Sequence, residues 1–177
     1  MIEVREERQK DIQAIREVNT RAFGQTTEAS IVDALRKNCP GILSLVAVDN
    51  GRIVGHILFS PAVIECEGRN VAGMGLAPMA VLPESQRRGI GTALVSAGIG
   101  LLRERQCPFV IVLGHAGYYP RFGFERASHY AIRSQWDGLP DEAFMVLTLD
   151  RTAMQNISGV ARYRAEFNLP EASYRES

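Results

Sequence analysis

The sequence predicts a single mixed α/β (α+β) domain, and three observations carry that prediction. Strand-like and helix-like runs interleave with no repeat, low-complexity tract or linker between them. An Asn-Gly pair joins two apolar runs as a hairpin. A Gly-rich turn joins a long apolar strand to an amphipathic helix. The order is strand, two helices, three strands, helix, strand, short helix, two strands, or about seven strands and four helices over residues 1–150.

Each element has a local reason. Ile2 and Val4 alternate with polar residues, as a short strand does. Asp11 is placed to cap a helix that turns Ile12, Ile15, Val18, Ala22 and Phe23 inward, and Gly24 ends it. A second helix runs over Thr27–Lys37 with Ile31, Val32 and Leu35 inward, and Cys39-Pro40-Gly41 breaks the chain. Leu43–Val48 is a strand, Asp49-Asn50-Gly51-Arg52 a two-residue primed turn, and Ile53–Phe59 the return strand, interrupted at Pro61. After a polar turn at 65–70, Val71–Leu82 is a long strand. Its Gly73, Gly75 and Pro78 predict a bulge or a close backbone approach.

A helix from Ile90 to Gln106 follows, with an apolar stripe of Ile90, Ala93, Leu94, Ala97, Leu101 and Leu102. Close packing is expected at Gly98 and Gly100. Phe109–Leu113 is a continuous apolar run, as in a central strand buried on both faces. Residues 118–122 have room only for a short helix, and strands are expected at Tyr130–Ser134 and Ala143–Leu149. Residues 151–177 are less patterned and read as a C-terminal extension, packed on the domain or trailing from it.

Composition limits the function. The chain has 177 residues, 46% apolar and 23% charged, enough for one well-filled core. Formal net charge is zero, so no basic field is available to hold nucleic acid. No apolar run reaches a membrane span, and the charged N-terminus lacks a signal-peptide core, which points to the cytoplasm. Cys39, Cys66 and Cys107 are widely spaced, with no Cys-x-x-Cys or His-x-x-x-His pair. No metal site is expected, and all three read as structural thiols.

The informative stretch is Met79-Ala80-Val81-Leu82-Pro83-Glu84-Ser85-Gln86-Arg87-Arg88-Gly89-Ile90-Gly91-Thr92. A turn that opens onto a helix N-terminus offers unpaired N–H groups and partial positive charge to a phosphate. Gly89 and Gly91 let the backbone approach a ligand, and Arg87 and Arg88 add charge suited to a diphosphate. A P-loop is excluded because no Lys follows the glycines, and a dinucleotide fingerprint because Leu94 stands where its third Gly would be.

What remains, Gln86–Gly91 between strand and helix, resembles the coenzyme A pyrophosphate loop of the GCN5-related N-acetyltransferases (GNAT). The element order over residues 1–150 is similar to that fold. Tyr119-Pro120-Arg121-Phe122-Gly123-Phe124 resembles the family's Tyr-x-x-x-Gly-Phe element. Residues 27–36, 55–61 and 118–124 resemble the bacterial YhbS-like branch.

The resemblance implies splayed central strands and acetyl-CoA as co-substrate. Met79, Ala80 and Val81 would meet the acyl carbonyl and pantetheine arm, and Gln86, Arg87, Arg88, Gly89, Ile90, Gly91 and Thr92 the pyrophosphate. It implies that Tyr119 is the general acid for the departing thiolate, with Tyr118 a packing residue. The base stays open among His115, Glu28 and Glu84, or a water chain, while His56 and His129 read as ordinary strand or surface residues. Many relatives carry Asn after the buried strand. Gly114-His115-Ala116-Gly117 stands here instead, so a backbone contact would replace that side chain.

The expected reaction moves an acetyl group to a primary amine of a small molecule or a specific protein. No nucleic acid or membrane partner is expected, and a homodimer is compatible with such a domain. The alternatives are a non-catalytic acyl-CoA sensor or partner-binding module on the same fold, or transfer of a longer acyl group.

Overall fold

A computed structural model of the chain describes residues 1–168, so the end of the extension expected at 151–177 lies outside the described residues. The described residues divide into two compact units: Met1–Phe59, Ala77–Gly100 and residues 166–168 form one, Ser60–Leu76 and Leu101–Ala165 the other. Among the described residues there are three α-helices and nine strands, not four helices and about seven strands. The strands are β1 (Ile2–Glu6), β2 (Leu43–Asp49), β3 (Arg52–Cys66), β4 (Arg69–Val81), β5 (Phe109–Leu113), β6 (Glu125–Arg126), β7 (Ile132–Ser134), β8 (Phe144–Thr148) and β9 (Gly159–Arg162), hydrogen-bonded in the order β1-β2-β3-β4-β5-β8-β6, with β9 paired to both β3 and β7.

The first unit holds β1 (Ile2–Glu6), α1 (Ile12–Phe23), α2 (Thr27–Asn38) and β2 (Leu43–Asp49). With them go the first part of β3 (Arg52–Cys66), the last part of β4 (Arg69–Val81) and most of α3 (Ile90–Glu104). β1 and β3 flank β2 antiparallel, pairing Val4 with Ala47 and Leu45 with Ile57. At the β2–β3 hairpin both Asn50 (φ 49°) and Gly51 (φ 81°) are left-handed, the geometry a primed two-residue turn requires. Asp11 does not cap α1 with its side chain. Its carboxylate accepts from the Arg8 amide at 2.7 Å and pairs with the Arg5 guanidinium at 2.6 Å, while Gly24 ends the helix in the left-handed region.

Pro61 does not interrupt β3. It falls between the stretch paired with β2, which ends at Phe59, and the stretch paired with β9, which begins at Val63. A missing N–H there costs neither of those two ladders a bond. The buried face of α3 carries Ile90, Leu94, Val95, Ile99 and Leu102, so Val95 and Ile99 join the expected stripe while Ala93, Ala97 and Leu101 are only half-buried. A Cβ on Gly98 would lie 2.3 Å from the Phe59 ring, which is the expected close packing. One on Gly100 would meet nothing within 4 Å, so that expectation does not hold there.

The second unit is built on β5 (Phe109–Leu113), every residue of which pairs with β8 (Phe144–Thr148). Gly73 and Gly75 of β4 mark close approaches. Cβ atoms would fall 2.6 Å from the Phe109 ring at Gly73 and 2.4 Å from the Tyr163 ring at Gly75. The expected strand at Tyr130–Ser134 shrinks to β7 (Ile132–Ser134), because Ala127–Tyr130 is a 3-10 helix ending on left-handed Ala131. Two strands are additional: β6 (Glu125–Arg126) and β9 (Gly159–Arg162). The short helix expected near 118–122 is a 3-10 turn, Tyr119–Phe122.

Candidate active site

In the first unit, β4 delivers Met79, Ala80 and Val81, with Ala80 buried and its two neighbours half-exposed. The 3-10 turn Pro83–Ser85 follows, then residues 86–89, then α3. Arg87 (φ 59°) and Gly89 (φ 78°) are left-handed, so two reversals within three residues aim the chain at the helix axis. The Ala93 amide donates to the Gly89 carbonyl at 3.0 Å, the first bond of the helix. The amides of Ile90, Gly91 and Thr92 therefore have no partner within the helix. Space is open at the turn, where a Cβ on Gly89 would meet nothing within 4 Å. This backbone fits a diphosphate: donors, partial positive charge and room coincide.

The side chains around the turn are engaged in holding it. The Gln86 amide donates to the Val81 carbonyl at 3.2 Å, tying the loop to β4. Arg88 pairs with Asp49 at 3.0 Å and is half exposed. Glu84 receives both guanidinium nitrogens of Arg21, at 3.1 and 3.0 Å, and Arg52 at 3.4 Å. Its hydrogen bonds, first its own amide and then Arg21, hold its carboxyl below the ordinary range. Glu84 thus shapes the turn. Glu28, on α2, is half-buried and accepts from Gln25 at 3.0 Å.

A buried polar chain also runs through this unit, and the sequence did not suggest it. The Asn19 side-chain amide donates to the Ile15 carbonyl and stands 3.0 Å from His56 Nδ1. Ser44 Oγ lies 2.9 Å from His56 Nε2 and donates to Glu7, whose carboxylate takes two guanidinium bonds from Arg36, at 2.8 and 3.0 Å. The donors are consistent in one direction only, with His56 neutral and its proton on Nε2. Burial drives the His56 pKa down to about 3. Burial raises the Glu7 carboxyl, but the bonds from Arg36 and Ser44 outweigh it and leave the group below its ordinary value.

In the second unit, the chain leaves β5 through Gly114 and enters the 3-10 turn Tyr119–Phe122, with left-handed Gly123 closing it. Tyr119 is 7% exposed. Its ring meets Tyr118 edge-on at 5.1 Å and Phe124 at 5.6 Å. Gly114 makes room for it, since a Cβ there would fall 2.4 Å from the Tyr119 ring. Burial above all, then the neighbouring Tyr118 phenol, pushes the Tyr119 pKa far above that of a free phenol. Tyr118 packs, with Arg121 over its face at 4.5 Å. His115 is exposed and shares the turn, its carbonyl accepting from the amides of Tyr118 at 3.0 Å and Tyr119 at 3.4 Å.

Among the described residues no His, Cys, Asp or Glu cluster could hold a metal ion, and no helix is long and apolar enough to cross a membrane. Cys39, Cys66 and Cys107 are free. The Cys107 thiol donates to the Phe109 carbonyl at 3.2 Å, and burial raises its pKa.

Residues 3–127 match the family described as acetyltransferase (GNAT) domain. The uncharacterised N-acetyltransferase YhbS of Escherichia coli (strain K12) is 35% identical over 149 residues, covering 84% of this chain and 87% of YhbS. The uncharacterised N-acetyltransferase YjhQ of the same strain is 48% identical over 117 residues, 65% of each chain. The crystal structure of E. coli YhbS in complex with CoA superposes with a TM-score of 0.87 at 33% identity, covering 95% of this chain and 92% of that one. A GNAT acetyltransferase from Brucella melitensis in complex with acetyl-CoA gives 0.76 at 34% identity, covering 94% and 98%.

Proposed function

Because the chain belongs to the GNAT family of N-acetyltransferases, we propose that it transfers an acetyl group from acetyl-CoA to a primary amine by direct attack in a ternary complex. The observation that carries the reading is the left-handed turn at Arg87 and Gly89, opening onto the amides of Ile90–Thr92. The diphosphate binds there, held by backbone donors, with the Arg87 side chain adding charge. Arg88 contributes less, because Asp49 already neutralises it. The main chain of Met79–Val81 takes the pantetheine arm and the acyl carbonyl.

The chemistry makes three demands on this chain. Charge developing on the acyl oxygen needs a fixed donor, supplied by a backbone N–H near Met79. The departing thiolate needs a proton, supplied by Tyr119, which burial keeps protonated to strongly alkaline pH. The amine must lose a proton, taken by His115, by Glu28 or by water. That His115 shares one turn with Tyr119 supports it as the base. The acceptor is a small amine or a specific protein amine.

Calorimetric titration with acetyl-CoA, followed by thiol release with a panel of amines and acyl donors, tests the reading. Saturable binding and amine-dependent release of coenzyme A are expected. Binding without turnover on any amine would favour a sensor, and preference for a longer acyl donor would change the substrate. No binding would overturn the reading.

A further inference from the structure

The parallel ladder between β4 and β5 is three rungs long: Met74–Val110, Gly75–Ile111 and Leu76–Val112. β4 itself continues to Val81. Something must therefore satisfy the backbone where the ladder stops, because a buried carbonyl left without a donor is costly. Tyr163 stands there. Its hydroxyl oxygen lies 3.1 Å from the Leu76 carbonyl and 3.2 Å from the Ile111 carbonyl, one from each strand. A single O–H has one proton to give, so the two carbonyls share it.

The ring is seated as carefully as the hydroxyl. It lies against Gly75, where a Cβ would come within 2.4 Å. Trp136 stacks on it, with centroids 5.5 Å apart and planes 29° apart. The Tyr163 amide donates to Gln135 Oε1 at 2.6 Å, and the side chain is 8% exposed. Ring packing alone could be met by Phe. A phenol whose oxygen bridges a carbonyl from each of two neighbouring strands, where their short ladder ends, does a different job.

We propose that Tyr163 is a positioning residue for acetyl-CoA: its hydroxyl fixes the last rung of the β4–β5 ladder, and so the start of the β4 run that leads to Met79–Val81. The inference rests on the acetyl-CoA reading above. Tyr163 touches no reacting atom and acts through the Leu76 carbonyl. The backbone of Met79–Val81 begins three residues further along the same strand.

Calorimetry on the full chain tests it, with acetyl-CoA as the probe. Tyr163→Phe keeps the ring over Gly75 and the stack on Trp136 and removes only the donor. Its dissociation constant for acetyl-CoA is expected to rise about tenfold, the effect of one well-placed hydrogen bond. With an accepted amine, KM for acetyl-CoA should rise more than kcat falls. Gly75→Ala displaces the ring by an independent route, should give the same signature, and carries the test if Tyr163→Phe does not fold. Val32→Ala in the core of α2 is the control, expected to lower the melting temperature with unchanged affinity. If Tyr163→Phe melts lower but binds as wild type does, the inference is overturned and the residue is structural alone. If the wild-type chain binds no acetyl-CoA, the parent reading falls first, and this one with it.

Discussion

Three residues carry sharp predictions. Tyr119→Phe keeps the ring that fills the space beside Gly114 and removes the proton donor. Turnover with an accepted amine should fall about 10²–10⁴-fold with little change in acetyl-CoA affinity, read by steady-state kinetics beside calorimetry. An unchanged kcat with chemistry rate-limiting would remove Tyr119 from the mechanism. Gly89 is left-handed, with open space where its Cβ would stand. Gly89→Val should weaken acetyl-CoA binding, both by backbone strain and by filling that space, and wild-type affinity in this variant would exclude the turn as the diphosphate site. His56 predicts a pH effect on stability. Its folded pKa is about 3 against 6.5 for the free side chain. The unfolded chain therefore takes up a proton as pH falls through about 6.5, and the folded chain does so only near 3. Stability is full above that window and declines through it, by up to about 1.4 kcal/mol per pH unit. Glu7, held below its ordinary value, adds loss of the same sign at the acid end. Urea melts across this range should show the slope, and His56→Gln should flatten it above the carboxylate range. The sequence makes the Gly89 turn legible because its cause is local. It does not show that His56 is buried, since its partners Asn19 and Ser44, and Glu7 beyond Ser44, come from three other parts of the chain.

At the scale of elements, the two glycines of α3 should respond with opposite signs. Gly98→Ala gains helix propensity but drives a methyl into the Phe59 ring, and overpacking of that kind costs about 1–3 kcal/mol. Gly100→Ala meets nothing and should gain roughly 0.8–1 kcal/mol from propensity alone. Thermal melts of the two variants should move in opposite directions, and a shared sign would show that the helix face is wrongly assigned. The elements readable in sequence are those with a strong period or turn: β2 and β3 about Asn50-Gly51, α1 closed by Gly24, β5 as an unbroken apolar run. β6 and β9 were not readable, because two and four residues give no period, and each exists through pairing with a distant strand. Pro61 reads as a break because a proline in a strand lacks a donor, and only the pairing scheme reveals that it falls between the stretches paired with β2 and with β9.

For the whole molecule, zero formal net charge predicts no non-specific binding to duplex DNA or bulk RNA. Several arginines near the turn are also paired with carboxylates: Arg21 and Arg52 with Glu84, and Arg88 with Asp49. Acetyl-CoA affinity should therefore fall only shallowly with salt, since backbone amides hold most of the diphosphate. A gel shift at physiological salt checks the first statement and calorimetry over a salt series the second; sub-micromolar binding to arbitrary duplex would reopen the choice of acceptor. The mixed α/β class, most of the element order and the strand–turn–helix at Met79–Thr92 are legible in the residues alone. These follow from period, turn chemistry and φ preference, which act over a few residues. Long-range packing sets the rest: Gly114 clears the space for Tyr119, a neutral His56 is locked into a buried chain, and the Tyr163 hydroxyl meets carbonyls 87 and 52 residues away in sequence. Each depends on which side chains meet once the strands have paired, and no local pattern encodes a partner at that distance.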